Sequence, residues 1–351
     1  MLSVVPEPVA APVEVEAHRL LDALAVRSLH ADESYRAFRG IIAGQFSDVE
    51  IAALLAALKT RGESATEIAA AARAMRECAI DFPRPDYQTA DTCGTGGDGA
   101  GTINISTAAA FVVAAGGLPV VKHGNRAISS RCGSADVLEA AGVRIDPEPD
   151  VARACLDEVG ICFLFAPRYH PGMRNAAGVR RSLRTRTVFN LLGPLANPAR
   201  PDVQLVGVYA PHLVRPAAET LLQLGCTAAL VVHGSGLDEI ALHGETTAVR
   251  VLEGLLSPLI LTPEDAGVDR YPRSALLPVD GANVGDWLRE VLAGRGPAAH
   301  LAAIAVNAGA VLWISGLAPT LAAGTARARQ LLSSGEPARR LERLVEVSHG
   351  A

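Results

Sequence analysis

Residues 91–107 read DTCGTGGDGAGTINIST and run straight into an apolar segment, AAAFVVAA, at 108–115. Gly94, Gly96, Gly97, Gly99 and Gly101 crowd the first half of the stretch. Glycine tolerates positive φ and carries no Cβ, so a loop of this kind lets backbone N–H groups come close to an anion. The apolar run predicts a helix. Asn104, Ser106 and Thr107 then fall at its N-terminus, where free N–H groups and the helix dipole favour negative charge. A phosphate cradle is the functional expectation, and an ordinary strand-to-helix turn is the bland alternative. No Gly-Lys-Ser/Thr closes the loop, which sets it apart from a nucleotide-triphosphate P-loop. Residues 98–104 separate its glycines from the helix, which sets it apart from a dinucleotide fingerprint.

Downstream of this loop, short apolar runs alternate with helical segments. They fall at 87–90, 118–121, 161–165, 204–209 and 228–232, the pattern of a mostly parallel sheet covered on both faces. Extended pieces follow at 247–252 and 258–261, and helices at 298–315, 317–333 and 336–346 finish the chain. Upstream, residues 18–82 read as helices only. Ser47-Asp48-Val49-Glu50 and Ser64-Ala65-Thr66-Glu67 both match the capping box. Ile51, Leu54, Leu55 and Leu58 give the helix after Ser47 an apolar face, and Gly62 is placed to end it. Residues 81–85, DFPRP, break the pattern and form the linker. Residues 168–198 carry no convincing strand and are expected to complete the helical domain or to cover the site. The expected fold is α/β: a small all-helical domain at 18–82 and a larger domain at 86–351 with a mostly parallel central sheet. Residues 1–17 read as a flexible tail.

Composition narrows the function. The chain has 351 residues, 49% of them hydrophobic and 20% charged, which describes a globular protein with room for two domains. A net charge of −5 argues against broad nucleic-acid binding, which needs a strongly basic face. No apolar run is long enough to span a membrane, and the N-terminus lacks the basic-then-apolar order of a signal peptide. The six cysteines are scattered without a CxxC pair, which fits a reduced, cytoplasmic compartment better than a disulfide framework or a cysteine metal site. Cys93 and Cys132 read as small space-fillers, since neither has a base nearby in sequence.

Two further stretches join the glycine loop. Residues 122–136, KHGNRAISSRCGSAD, follow a short strand, so their polar groups should sit at its carboxyl end beside the first loop. Lys122, Arg126 and Arg131 supply charge, and Ser129, Ser130 and Ser134 can donate to phosphate oxygens. An anion site is the expectation and a solvated loop the alternative. His123 is open between a structural and a catalytic role. Residues 233–239, HGSGLDE, follow another strand. The adjacent carboxylates of Asp238 and Glu239 fit an Mg²⁺ site when a polyphosphate supplies the other ligands. Taken alone, such a pair is more often a solvated turn.

In combination and order, GTGGDG with NIST, KHGNRAISS with GSAD, APRYHP, RTVFNLLGPLANP, GLDEI and NAGA closely resemble the anthranilate phosphoribosyltransferase family. The resemblance covers about residues 18 to 347. It implies a nucleoside phosphorylase/phosphoribosyltransferase-like fold, a homodimer, and Mg²⁺-dependent transfer of the 5-phosphoribosyl group from phosphoribosyl pyrophosphate to the amine of anthranilate, an early step of tryptophan synthesis. The implied donor site is Gly94, Gly97, Asp98, Thr102, Asn104, Ile105, Ser106, Thr107, Lys122, His123, Gly124, Asn125, Arg126, Ala127, Ile128, Ser129, Ser130 and Ser134. Ser106, Asp238 and Glu239 match metal-binding positions, and Gly94, Asn125 and Arg180 match anthranilate-contacting ones. No residue is assigned as a general base, neither His123 nor His170.

The sequence departs from the family pattern in one place. Where the family usually reads a proline and then VR(R/K)-x-LG-x-RT, this chain has Gly178 before Val179-Arg180, and Arg184 in place of the glycine. Either change bears on the acceptor pocket, whereas the phosphate and metal motifs are intact. The alternatives are a related phosphoribosyltransferase with a different aromatic acceptor, a pyrimidine-nucleoside phosphorylase-like enzyme, and a non-catalytic nucleic-acid-binding paralogue. The Asp238-Glu239 pair with the NIST and KHGN runs argues against the phosphorylase, and the acidic charge balance against the paralogue.

Overall fold

The computed structural model describes residues 16–127, 132–279 and 281–350; most of the expected tail lies outside them. Four helices open the fold: α1 (Ala17–Val26), α2 (Ala31–Ile42), α3 (Asp48–Arg61) and α4 (Ala65–Glu77). Both capping boxes form, with Ser47 and Ser64 each accepting from the N–H three residues on and receiving the glutamate in return. Ile51, Leu54, Leu55 and Leu58 are the buried face of α3, which Gly62 ends at φ 88°. Glu67 has a further task. Almost fully buried, it accepts from Leu29 N at 2.8 Å and pairs with Arg61, so the α4 cap also ties down the turn before α2.

The sheet strands are β1 (Ala90–Gly94), β2 (Val120–Gly124), β3 (Ile161–Phe165), β4 (Val203–Gly207), β5 (Ala228–His233), β6 (Thr246–Leu252) and β7 (Leu255–Leu261). Their spatial order is β3-β2-β1-β4-β5-β6-β7; the first five run parallel and the last two antiparallel. Side chains alternate between the faces. Ala228, Leu230 and Val232 of β5 join one core, and Ala229 and Val231 join the other.

The first core is roofed by α5 (Ile105–Ala115), α6 (Ser134–Ala140), α7 (Pro149–Val159), α12 (Val284–Leu292), α13 (Ala298–Ile314), α14 (Leu321–Ser334) and α15 (Glu336–Ser348). The second is continuous with the opening helices. After the short α8 (Ala166–Tyr169), α9 (Arg174–Leu183) packs on α2 and α3, and α10 (Phe189–Leu195) packs on α4 and on α11 (Val214–Gln223). No helix among the described residues is long and apolar enough to cross a membrane.

Two strands lie later than expected. The first occupies Ala90–Gly94 instead of 87–90, so Asp91, Thr92 and Cys93 are strand and not loop. Its polar sequence disguised it. Asp91 is buried, and its carboxylate accepts from Asn197 Nδ2 at 2.8 Å, which makes a polar residue tolerable in the sheet. The second occupies Val120–Gly124 instead of 118–121, which carries Lys122 and His123 into the sheet interior.

Candidate active site

β1 lies between β2 and β4, and the chain leaves it toward β2 and β3 on one side before returning to β4 on the other. Loops at such a switch of direction part company and leave a crevice at the strands' carboxyl ends. Gly94 and Gly207 face each other there in register. The loop after β5 folds back over both. A Cβ on Gly207 would stand 1.6 Å from the Asp238 carbonyl oxygen, and one on Gly94 would stand 2.2 Å from Asp238 Oδ2. At Gly207 the obstructing atoms are backbone and only glycine fits; at Gly94 a side chain would displace the Asp238 carboxylate. Gly96 and Gly97 follow in the left-handed region, at φ 68° and 75°, and this turn aims Gly96 N at Asp238 Oδ2, 2.6 Å away. The glycine loop and the acidic loop, 142 residues apart in the chain, are thus one structure.

The crevice gathers half-buried carboxylates around the buried Asp91. Asp98 accepts from Asp238 N at 3.4 Å and from Ala100 N at 2.9 Å, and Glu239 Oε1 accepts from Ser106 N at 3.2 Å. Thr92 Oγ1 donates to Ser106 O, which fixes the first turn of α5 on β1. Lys122 is the buried cation, its Nζ donating to Thr92 O at 2.7 Å. One ammonium does not offset the burial. Desolvation raises Asp91 to about 6, Asp238 is raised to about 7 by burial and by Asp98, and burial with Asp238 beside it holds Glu239 well above the carboxylate range. Among the described residues no three His, Cys, Asp or Glu side chains form a metal-holding group. The oxygen-only set of Asp238, Glu239 and the neighbouring Ser106 suits a hard cation that takes its remaining ligands from elsewhere.

The other sequence-predicted residues divide into groups. Ile105 and Thr107 are buried in the first turn of α5, so they offer backbone and not side chain; Ile105 N is bonded to Ile103 O. Asn104 is the N-cap residue, yet its side chain donates to Cys132 O and not into the helix. Thr102 lies half-buried in the loop leading to α5. Gly124 ends β2, where a Cβ would meet Ser134 Oγ at 2.2 Å, and Asn125 O accepts from Ser134 Oγ and Ala135 N. Arg126 differs from the expectation of a cation awaiting phosphate, because Asp136 and Glu139 already engage it. Ala127 N is bonded to Asp136 Oδ2 at 2.9 Å. Ile128, Ser129, Ser130 and Arg131 lie outside the described residues. His123 sits deep in the core, with Nδ1 against Gly193 O at 3.0 Å and its ring 5.1 Å from that of His170. Burial pulls its pKa down to about 3, which keeps it neutral. Burial raises the Cys93 thiol to about 12, consistent with a space-filling role.

Known proteins place this arrangement. Residues 86–338 match the glycosyl transferase family a/b domain, and residues 18–79 match the helical bundle domain of the same family. An anthranilate phosphoribosyltransferase of Sorangium cellulosum is 54% identical over 332 residues, covering 94% of this chain and 95% of its own. One from Aeromonas hydrophila is 50% identical over 323 residues, covering 92% and 94%. The crystal structure of the Thermus thermophilus enzyme superposes with a TM-score of 0.88 at 45% identity, over 94% of this chain and 99% of that one. The Saccharomyces cerevisiae enzyme, solved in complex with PRPP and Mg, gives 0.85 at 26% identity, over 95% and 98%. The chain belongs to the anthranilate phosphoribosyltransferase family.

Both departures from the anthranilate phosphoribosyltransferase pattern fall on α9 and its end. Arg184 caps α9 in the left-handed conformation, at φ 45° and ψ 30°, where the family's usual glycine has no steric cost. A Cβ on Gly178 would meet only Asp48 Oδ2, at 3.9 Å. Both positions line an open cavity of about 690 Å³ with Asp48, Arg181 and Ser182. Arg180 is a separate matter. Its guanidinium lies 5.4 Å from the Phe189 ring, and burial lowers its pKa. Among the described residues it has no carboxylate partner.

Three residues around the crevice escape a reading of the sequence. Gly207 has no motif to mark it. Arg186, two residues past the anomalous Arg184, donates to Gly97 O and stacks 4.2 Å from the Tyr209 ring. His233 stands at the head of a motif whose carboxylates dominate its reading.

Proposed function

We propose that the protein transfers the 5-phosphoribosyl group of phosphoribosyl pyrophosphate to the amine of anthranilate, giving N-(5-phosphoribosyl)anthranilate and pyrophosphate in tryptophan biosynthesis. The observation that carries this reading is the 2.6 Å bond from Gly96 N to Asp238 Oδ2, which makes the anion-binding loop and the acidic pair one site. The donor is held by the backbone of the glycine loop and the start of α5, with Thr102, Lys122, the 123–130 stretch and Ser134 around it.

Asp238, Glu239 and Ser106 are the residues that would hold Mg²⁺; the desolvation and like-charge repulsion that raise both carboxyls, which a cation would relieve, support this. When bound, Mg²⁺ neutralises charge on the departing pyrophosphate as the ribosyl C1–O bond breaks. Arg180 takes the carboxylate of anthranilate, replacing solvent around a half-buried cation with a charge-assisted hydrogen bond. Gly94 and Asn125 line the acceptor side. No general base is assigned. His123 is neutral and its Nδ1 faces a carbonyl, so the chain's contribution is position and electrostatics. An oxocarbenium-like ring accounts for the need to gather negative groups in the crevice.

The helices of 18–82, completed by those of 168–198, form one domain and residues 86–351 the other. The protein acts as a cytoplasmic homodimer on small molecules, without nucleic acid or membrane; the net charge of −5 supports the exclusion of nucleic acid. The test is to mix the protein with phosphoribosyl pyrophosphate, Mg²⁺ and anthranilate and to follow anthranilate fluorescence. Its loss supports the reading, and a folded protein without turnover refutes it.

A further inference from the structure

The acidic loop, from Gly234 to Ile240, is short and turns sharply, with φ 48° at Ser235 and 95° at Gly236. Gly234 and Leu237 bond to each other through both backbone pairs, at 2.9 and 3.1 Å. These contacts give the loop a shape but do not fix it to the sheet. On its far side, the buried Asn307 ties the loop to α13, with Oδ1 accepting from Ile240 N at 3.2 Å and Nδ2 donating to Ala303 O at 2.9 Å.

On its near side stands His233, the last residue of β5 and only 9% exposed. Its Nδ1 lies 2.8 Å from Val208 O and its Nε2 lies 3.2 Å from Gly236 N. A carbonyl only accepts and a backbone N–H only donates. The ring is therefore the neutral tautomer with its proton on Nδ1, and both nitrogens are in use. One bond anchors the ring to the chain just past β4; the other holds the loop two residues before Asp238.

We propose that His233 is a positioning residue that sets the Asp238 and Glu239 carboxylates for the donor and its cation. It touches no reacting atom. This rests on the function proposed above, since it assigns those carboxylates to the same site. Groups that orient metal ligands in this way commonly matter about 10–100-fold in affinity or activity.

The two bonds can be separated chemically. Asparagine reproduces the Nδ1–H donor, so His233→Asn keeps the bond to Val208 and loses the hold on Gly236. Glutamine reproduces the Nε2 position, so His233→Gln keeps an acceptor for Gly236. Binding of phosphoribosyl pyrophosphate with Mg²⁺ is measured by calorimetry without acceptor, beside the anthranilate KM. His233→Asn is expected to weaken donor binding about tenfold or more, and His233→Gln to stay within about threefold. The anthranilate KM of both should move less than about twofold, a split that a general loss of structure would not give.

Equal weakening in the two variants, or none in either, overturns the proposal. In the wild type, ¹⁵N shifts of the His233 ring should show the proton on Nδ1, and a proton on Nε2 overturns it without any variant. Wild-type protein that binds the donor but does not turn over anthranilate refutes the acceptor reading alone; wild type that does not bind the donor overturns both.

Discussion

Arg184 shows how one residue can depart from a family pattern and leave a measurable trace. It ends α9 in the left-handed region, where an L side chain crowds its own backbone and glycine does not. Arg184→Gly should relieve about 1–2 kcal/mol of that strain and add about 0.4–1 kcal/mol of unfolded-chain entropy, a net gain of about 0.5–1 kcal/mol. Urea unfolding would show it as a higher midpoint at unchanged slope; a lower midpoint would mean that the arginine makes a contact worth more than its strain. Arg180, four residues earlier, is under a different constraint. It is half-buried and without a carboxylate partner among the described residues, and its guanidinium lies 5.4 Å from the Phe189 ring. Arg180→Ala should raise the anthranilate KM about 10–100-fold while the phosphoribosyl pyrophosphate KM changes less than about twofold. A change confined to the donor KM would remove Arg180 from the acceptor pocket.

At the scale of elements, the site depends on the carboxyl ends of β1 and β4 leaving room for a third segment. Gly207 leaves that room, because the Asp238 carbonyl occupies the space of its missing Cβ. Gly207→Ala must push the acidic loop outward, since the obstructing atom is backbone and cannot rotate away. A displacement near 1 Å at a reacting centre costs on the order of 100-fold, so kcat/KM should fall by about that factor. Near-normal activity would show that the loop has an alternative seat. What was legible in the sequence follows from the range of the forces involved. Capping boxes, the α3 stripe and the glycine loop are local, and Ser47, Ser64, Leu54, Leu55 and Gly96 could be read directly. The first two strands read too early in the chain because Asp91 and Lys122 are polar residues made acceptable in the sheet by Asn197 and Thr92, partners far away in the chain. Gly207 was invisible for the same reason, since the residue that requires it is Asp238, on another loop. The motifs named Asp238 and Glu239, but not the His233 and Asn307 contacts that hold them.

For the whole molecule, the buried titratable groups oppose one another, and their sum predicts the pH dependence of stability. Asp91 at about 6, Asp238 at about 7 and Glu239 well above the usual range keep protons in the folded protein that the unfolded chain releases near pH 4. Their contribution is fully present below about pH 4 and is lost as pH rises through the folded values. His123 at about 3 and His170 at about 4 work the other way, because the unfolded chain takes up protons below about pH 6.5 that the folded protein refuses. Their contribution is present above about pH 6.5 and is lost as pH falls toward the folded values. Between about pH 5 and 6 the two histidines offset only two of the three acids, and above about pH 6.5 only the acids remain. Stability without ligand should therefore decline across the whole range from about pH 5 to 8, with a slope of up to about 1.4 kcal/mol per pH unit for each proton released. Asp238→Asn removes one titrating group and should make the decline shallower. Urea midpoints taken across this range check both, and a wild-type midpoint that climbs from about pH 6.5 to 8 would contradict the account. Phosphoribosyl pyrophosphate with Mg²⁺ should reverse the trend, because it requires the same carboxylates in their charged form and its stabilisation grows as they deprotonate.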